Sequence, residues 1–218
     1  MTLTLVDIWP LFGLSLHTPD LDLRIIRDED LPGLVAAAER GIHTADFVPF
    51  ASNWALKPPQ ELRENSARND WGKRAAFSAH KWNLAFAIHH RGTIIGQQNL
   101  RGEDPVTTRS VGSGSWLSGE YQGRGLGTQA RIAVVLFGLD YLGLTELTSG
   151  AWGPNRASHA VSRKVGYVPN GTARHAPGTG HDGTEYRYRV TADTVLRPEW
   201  ELRVEGFTDA VRRQLGIA

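Results

Sequence analysis

The chain has 218 residues, 40% of them hydrophobic and 22% charged, which is enough apolar material for a substantial core and argues against a disordered chain. Twenty-four Lys and Arg against 23 Asp and Glu leave a formal charge of +1, so no long-range field recommends nucleic acid or an anionic membrane as partner. There is no cysteine, which removes a disulfide framework, a thiolate nucleophile and any Cys-ligated metal.

At the start of the chain, residues 1–10 lack a basic leader and carry Asp7, and the longest apolar run, 132–137, is far too short to span a bilayer. A cytoplasmic protein is expected. No Ser/Gly or Pro-rich linker divides the sequence and no repeat is visible, so residues 1–218 are expected to form a single domain. Residues 21–26 (LDLRII) alternate as a strand, and 28–40 (DEDLPGLVAAAER) follow with an acidic first turn and helical spacing. An aromatic loop, 41–56, leads into a charged helix expected over 57 to about 80. The period then falls to two, and 82–88, 93–100 and 111–117 read as three strands of an antiparallel meander, the first pair joined by Arg91-Gly92. His89 and His90 are neighbours on a strand, point to opposite faces and cannot readily share an ion, so no metal is expected.

A glycine-rich stretch, 122–128 (QGRGLGT), then precedes a helix expected over 129–142, apolar around most of its circumference as a helix buried against a sheet would be. A strand over 145–151, a helix over 154–165 stopped by Gly166, a strand over 185–190, and a strand near 200–204 with a closing helix complete the order. Strand, glycine loop and helix place free backbone N–H groups at a helix N-terminus, which favours a phosphate. Side chains at Gly123, Gly125 and Gly127 would obstruct an anion's approach to that backbone, and glycine reaches the dihedrals an anion nest needs. No Gly-Lys-Ser/Thr follows, so this is no P-loop, and Thr128 stands where a dinucleotide-binding fingerprint needs its third glycine. Glu146 has the spacing of a ribose ligand but opens its strand instead of ending it.

Gln122-x-x-Gly125-x-Gly127 resembles the pyrophosphate loop of the GNAT acyltransferases. After the next strand, Asn155-Arg-Ala-Ser158 and Val165-Gly-Tyr167 look like that family's Asn-x-x-Ser helix ending in Gly-Phe/Tyr, at matching spacing. The resemblance covers roughly residues 21–190. Trp116-Leu117, His181-Asp182 and Glu199-Trp200 are similar to the RimJ/RimL-type branch, and also to a RimL-like subset linked to succinyl transfer. It implies an α/β (α+β) GNAT fold, a mixed twisted sheet of about six or seven strands flanked by helices on both faces. It also implies acyl-CoA-dependent N-acyl transfer, from acetyl-CoA or succinyl-CoA, to a primary amine of a protein, peptide or small molecule.

Carried over residue by residue, the resemblance assigns the pyrophosphate to the amides of Gly123, Arg124, Gly125, Leu126, Gly127 and Thr128, with Gln122 opening the loop. Ser115, Trp116 and Leu117 belong to the strand that pairs with the pantetheine arm, a strand N–H near Trp116 would polarise the thioester carbonyl, and Asn155 would hold the pantetheine. Ser158 matches a serine assigned to protonate the departing thiolate, whereas the tyrosine many family members use is replaced by Ser162. For the amine's proton the open alternatives are Asp182, Glu185, His43 and a water chain; His43 and Trp54, in the early loop, are also expected to touch the acceptor. A succinyl donor would need a cation, for which Arg109, Arg124, Lys164 and Arg174 are the candidates. A non-catalytic acyl-CoA sensor is the alternative to an enzyme, and a homo-oligomer through the Trp-bearing tail is compatible with the sequence.

Overall fold

The computed structural model describes residues 2–217; Met1 and Ala218, the ends of the expected domain, lie outside the described residues. Nine strands form one sheet: β1 (Ser15–His17), β2 (Asp22–Ile25), β3 (Lys81–His90), β4 (Thr93–Glu103), β5 (Ser110–Leu117), β6 (Glu146–Trp152), β7 (Val168–Arg174), β8 (Thr184–Thr191) and β9 (Arg203–Glu205). Their order is β7-β8-β6-β5-β4-β3-β2-β1-β9. The helices are α1 (Leu5–Ile8), α2 (Leu31–Glu39), α3 (Pro59–Ala75), α4 (Pro105–Thr108), α5 (Leu126–Leu136), α6 (Arg156–Val165) and α7 (Asp209–Leu215). None among the described residues is long and apolar enough to cross a membrane.

The expected mixed sheet is present, with more strands than the seven legible in the sequence. Both additions have weak local signals: β1 is only three residues long, and β7 contains Pro169 and Gly171 and is mostly exposed, tolerable because it is the sheet edge. The β3–β4 hairpin forms where expected, with Arg91 and Gly92 both at positive φ as a tight two-residue turn requires. The charged helix α3 is shorter than predicted and ends at Ala75, after which Ser78 and Lys81 pair across a turn. Helix α5 starts three residues before the predicted position because Gly125, at φ 84°, caps it in the left-handed region, and a π turn over Phe137–Tyr141 carries it on.

Helix α5 lies against one face of the sheet, where Ala130, Ala133, Val134 and Phe137 join Val111 and Leu117 of β5 and Leu147 of β6 in the main core. Helix α2 covers the other face over β4, with Leu34 against Ala85 and Ala87, and Ile42 and Leu62 close a smaller cluster with Trp54 and Trp116. One junction is parallel. Strand β5 meets β6 only from Ser110, Val111 and Gly112 to Glu146, Leu147 and Thr148, after which the two part. Strand β6 keeps pairing with β8 to its end, so residues 113–117 of β5 face an opening instead of a neighbour.

Candidate active site

The glycine loop sits at the mouth of that opening. Gly123 and Gly125 have φ of 72° and 84°, and a β-carbon at either would meet nothing within 4 Å, so these positions call for glycine on conformational grounds. Gly127 has ordinary helical dihedrals, and a β-carbon there would touch Leu117 Cδ1 at 3.4 Å. The first main-chain bond of the helix runs from the Gln129 N–H to the Gly125 carbonyl, and no side chain caps the terminus. The amides of Leu126, Gly127 and Thr128 are therefore free donors at the positive end of α5. Gln122 is the clamp of the loop: its Nε2 donates to the Ile42 and Leu117 carbonyls, both at 2.8 Å, joining the end of β5 to the 41–56 loop.

A cavity of about 1210 Å³ runs from this terminus through the opening between β5 and β6 to the far face of the sheet. Most sequence-predicted residues line it: Ser115, Trp116, Leu117, Gln122, Gly123, Gly125, Gly127, Thr128, Asn155, Ser158, Glu185, His43 and Trp54. Three do not. Arg124 reaches over the Tyr121 ring at 5.5 Å, the Leu126 side chain is buried in the core, and Asp182 is exposed on the hairpin before β8. The Asp182 carboxylate accepts from the Thr184 N–H and hydroxyl, both at 2.9 Å, which holds it below the usual carboxylate range, so it is a turn residue and a poorer proton acceptor than a free aspartate.

Asn155 caps α6, its Oδ1 accepting the Ser158 N–H at 3.0 Å, which leaves its amide N–H groups for a ligand. The Ser158 side chain is half-buried at the cavity wall, whereas Ser162, in the place of the usual tyrosine, is fully buried outside the lining with its Oγ unpartnered. His43 is better placed than its loop position suggested. Its Nδ1 lies 2.7 Å from the Thr44 carbonyl, so in the neutral ring Nδ1 carries the proton and the buried, unpartnered Nε2 is an acceptor. His43, Phe50, Trp54 and Trp116 form a chain of ring contacts with centroids 5.5–5.6 Å apart. The Glu185 carboxylate lies across Gly150 of β6, where a β-carbon would collide with it, and its Oε2 is 3.3 Å from His175 Nε2 and 3.4 Å from Arg187 Nε.

Beneath the opening is a buried polar network that the sequence reading missed. Arg131 of α5, 4% exposed, donates to Ser115 Oγ of β5 and Ser149 Oγ of β6, both at 2.9 Å, and reaches Gln98 Oε1 at 3.4 Å. Tyr167 places its hydroxyl 2.7 Å from Ser113 Oγ; burial pushes its pKa above the ordinary phenol value, making it a weaker acid, against the pull of Arg131. The available signal was a single arginine inside an apolar helix (ARIAVVLFGL). On the far face α3 and β4 add Asn65, Asn69, Lys73, Asn99 and Arg101 to the lining.

Residues 20–168 match the acetyltransferase (GNAT) domain family. A curated relative, YdaF of Bacillus subtilis (strain 168), named as a candidate ribosomal N-acetyltransferase, is 28% identical over 113 residues, 50% of this chain; the chain covers little more than half, 57%, of that relative. Among solved structures, Mycobacterium smegmatis RimJ in complex with CoA-disulfide aligns with a TM-score of 0.70 and 21% identity, over 87% of this chain and 91% of that one. RimL, the ribosomal L7/L12 alpha-N-protein acetyltransferase in complex with coenzyme A, aligns with a TM-score of 0.66 and 17% identity, over 81% and 97%. At these identities the two structures speak for the fold.

Proposed function

Because this chain belongs to the GNAT acetyltransferase family, we propose that it is an N-acyltransferase that moves an acyl group directly from a coenzyme A thioester to a primary amine. One observation carries the reading: the uncapped N-terminus of α5 opens into the same cavity as the unpaired stretch of β5, so a phosphate site and a strand edge lie along one path. The amides of Leu126, Gly127 and Thr128 take the pyrophosphate, the free edge of β5 takes the amide-bearing arm, and Asn155 donates to it. The acceptor enters from the face of Trp54 and Trp116.

In this reading the amine nitrogen attacks the thioester carbonyl carbon, the C–N bond forms as the C–S bond breaks, and sulfur leaves as a thiolate. Holding the two reactants in line supplies most of the acceleration, and no protein nucleophile takes part. His43 Nε2 takes the amine's proton, since it is a buried, uncommitted acceptor on the acceptor side, whereas Glu185 is shared with His175 and Arg187. Ser158 returns a proton to the thiolate. Acetyl-CoA is the donor the family points to, and the names of the relatives favour an amine on a protein, such as an N-terminal α-amine. Succinyl-CoA is a second donor, favoured by the cations in the wall. Of the four candidates from sequence only Lys164 lines the cavity: Arg109 is tied to the Gly143 carbonyl, Arg124 to Tyr121 and Arg174 to Asp182 and Thr184.

The test is a thermal melt with CoA, acetyl-CoA, succinyl-CoA and NAD, followed by thiol release in the presence of a panel of amines. Stabilisation by CoA compounds and not NAD, with turnover on at least one amine, is expected. A melting temperature unmoved by saturating CoA would refute the coenzyme site, and binding without turnover on any amine would make the protein an acyl-CoA sensor.

A further inference from the structure

Asn99 and Arg101 stand at alternate positions of β4, so both point to the acceptor face of the sheet, and both line the cavity. The Asn99 Oδ1 is buried and has no hydrogen-bond partner. A buried oxygen without a donor is costly to fold around unless one meets it when the protein works. Across the ladder from these two residues β5 has Gly114 and Gly112, so the floor beside them is bare backbone. A β-carbon on Gly114 would lie 3.0 Å from Asn99 Oδ1, and one on Gly112 would lie 3.7 Å from Arg101 Cγ, which places both side chains along that floor. Gly114 belongs to the unpaired stretch of β5, so Asn99 borders the place where amine and thioester must meet. The neighbouring cations on this face are already neutralised: Lys57 pairs with Glu61 and Lys73 with Asp70, each at 2.9 Å. Arg101 is exposed and, among the described residues, has no carboxylate partner.

Resting on the acyl-transfer reading of this cavity, we infer that Asn99 and Arg101 form the track on which the acceptor lies, and that the acceptor is an extended peptide N-terminus with an acidic third residue. A neutral amine has two N–H groups and one lone pair. Asn99 Oδ1 accepts one N–H, the other is the proton that His43 takes, and the lone pair is left for the carbonyl carbon. Two residues of extended chain span about 6.6–6.8 Å, which is also the separation of Asn99 and Arg101 along β4. The third side chain of the peptide therefore reaches the guanidinium, whose paired N–H donors match a carboxylate.

The experiment is thiol release from acetyl-CoA with three peptides of free N-terminus that differ only in the third residue, which is Glu, Gln or Lys. With the native protein kcat/KM for the Glu peptide should exceed that for the Gln peptide about tenfold, chiefly through KM, the worth of one hydrogen bond to a charged group. The Lys peptide should be poorer still. In Arg101→Glu the order should reverse, with the Lys peptide best, a result that a weakened fold cannot mimic. Asn99→Ala removes an unpartnered group, so it should melt no lower than native yet lose about tenfold in kcat on all three peptides alike. Equal kcat/KM for the Glu and Gln peptides on the native protein overturns the acidic preference, whatever the variants do. An undiminished kcat in Asn99→Ala overturns the amine contact. No thiol release with any peptide, while CoA still raises the melting temperature, brings down the transfer reading and this inference with it.

Discussion

One main-chain contact fixes the tautomer of His43, the base of the proposed reaction. With its Nδ1 proton committed to the Thr44 carbonyl, the ring is fixed as the tautomer whose lone pair points from a buried Nε2. His43→Gln is expected to lower kcat by about 10²–10⁴-fold, the usual worth of a general base, with coenzyme affinity unchanged. Gly150→Ala pushes Glu185 aside without touching His43, so its kcat should stay within about twofold of native on the same scale; a loss as large as that of His43→Gln would transfer the role to Glu185. His89 carries a different prediction. It is mostly buried on β3, and desolvation lowers its pKa from the ordinary 6.5, outweighing the attraction of Asp30 at 3.9 Å. The unfolded chain therefore binds the proton more readily, so this contribution to stability is complete above pH 6.5 and is lost as the pH falls through the lower folded value. Urea midpoints measured between pH 7 and 5 should fall, and His89→Gln should flatten that fall.

Two helix starts carry the candidate site, and they are built differently. Helix α6 is capped by Asn155, and Asn155→Ala should cost about 1 kcal/mol of stability, read from the shift in a urea transition. The same variant tests the amide's second use, since it should also weaken CoA. Helix α5 has no cap at all, which is a waste of donors in a protein without an anion to bind. Gly127→Glu keeps acceptable dihedrals and has room at its β-carbon, but it brings a carboxylate to the terminus where phosphates would sit. It should melt near the native temperature and no longer respond to CoA; an undiminished response would show that the coenzyme lies elsewhere. The splay that gives these helices a common cavity follows from β6, whose residues past Thr148 stay with β8 instead of β5.

At the scale of the molecule, the core is continuous on the α5 side, where Leu147 is fully buried and packs beside Gly138 in the π turn. Leu147→Ala should cost about 2–5 kcal/mol, measured by urea unfolding, because the rigid strand cannot close the space it leaves. Helix α5, the β3–β4 hairpin and the order of elements were readable because period, glycine and turn chemistry are local properties of the chain. The Gln122-to-Thr128 and Asn155-to-Ser158 motifs were readable for the same reason. Each sits at a helix start, where a few consecutive residues determine the geometry. Strands β1 and β7 were not, since a three-residue strand and an exposed edge owe their form to neighbours distant in sequence. Distance in sequence also hid the chemistry of the site. Sequence alone could not separate Asp182, turned to solvent, from Glu185, laid over Gly150 only three residues later. Nor could it single out Arg131 or the free lone pair of His43, because burial and hydrogen-bond partners come from segments that meet only once the sheet has closed around them.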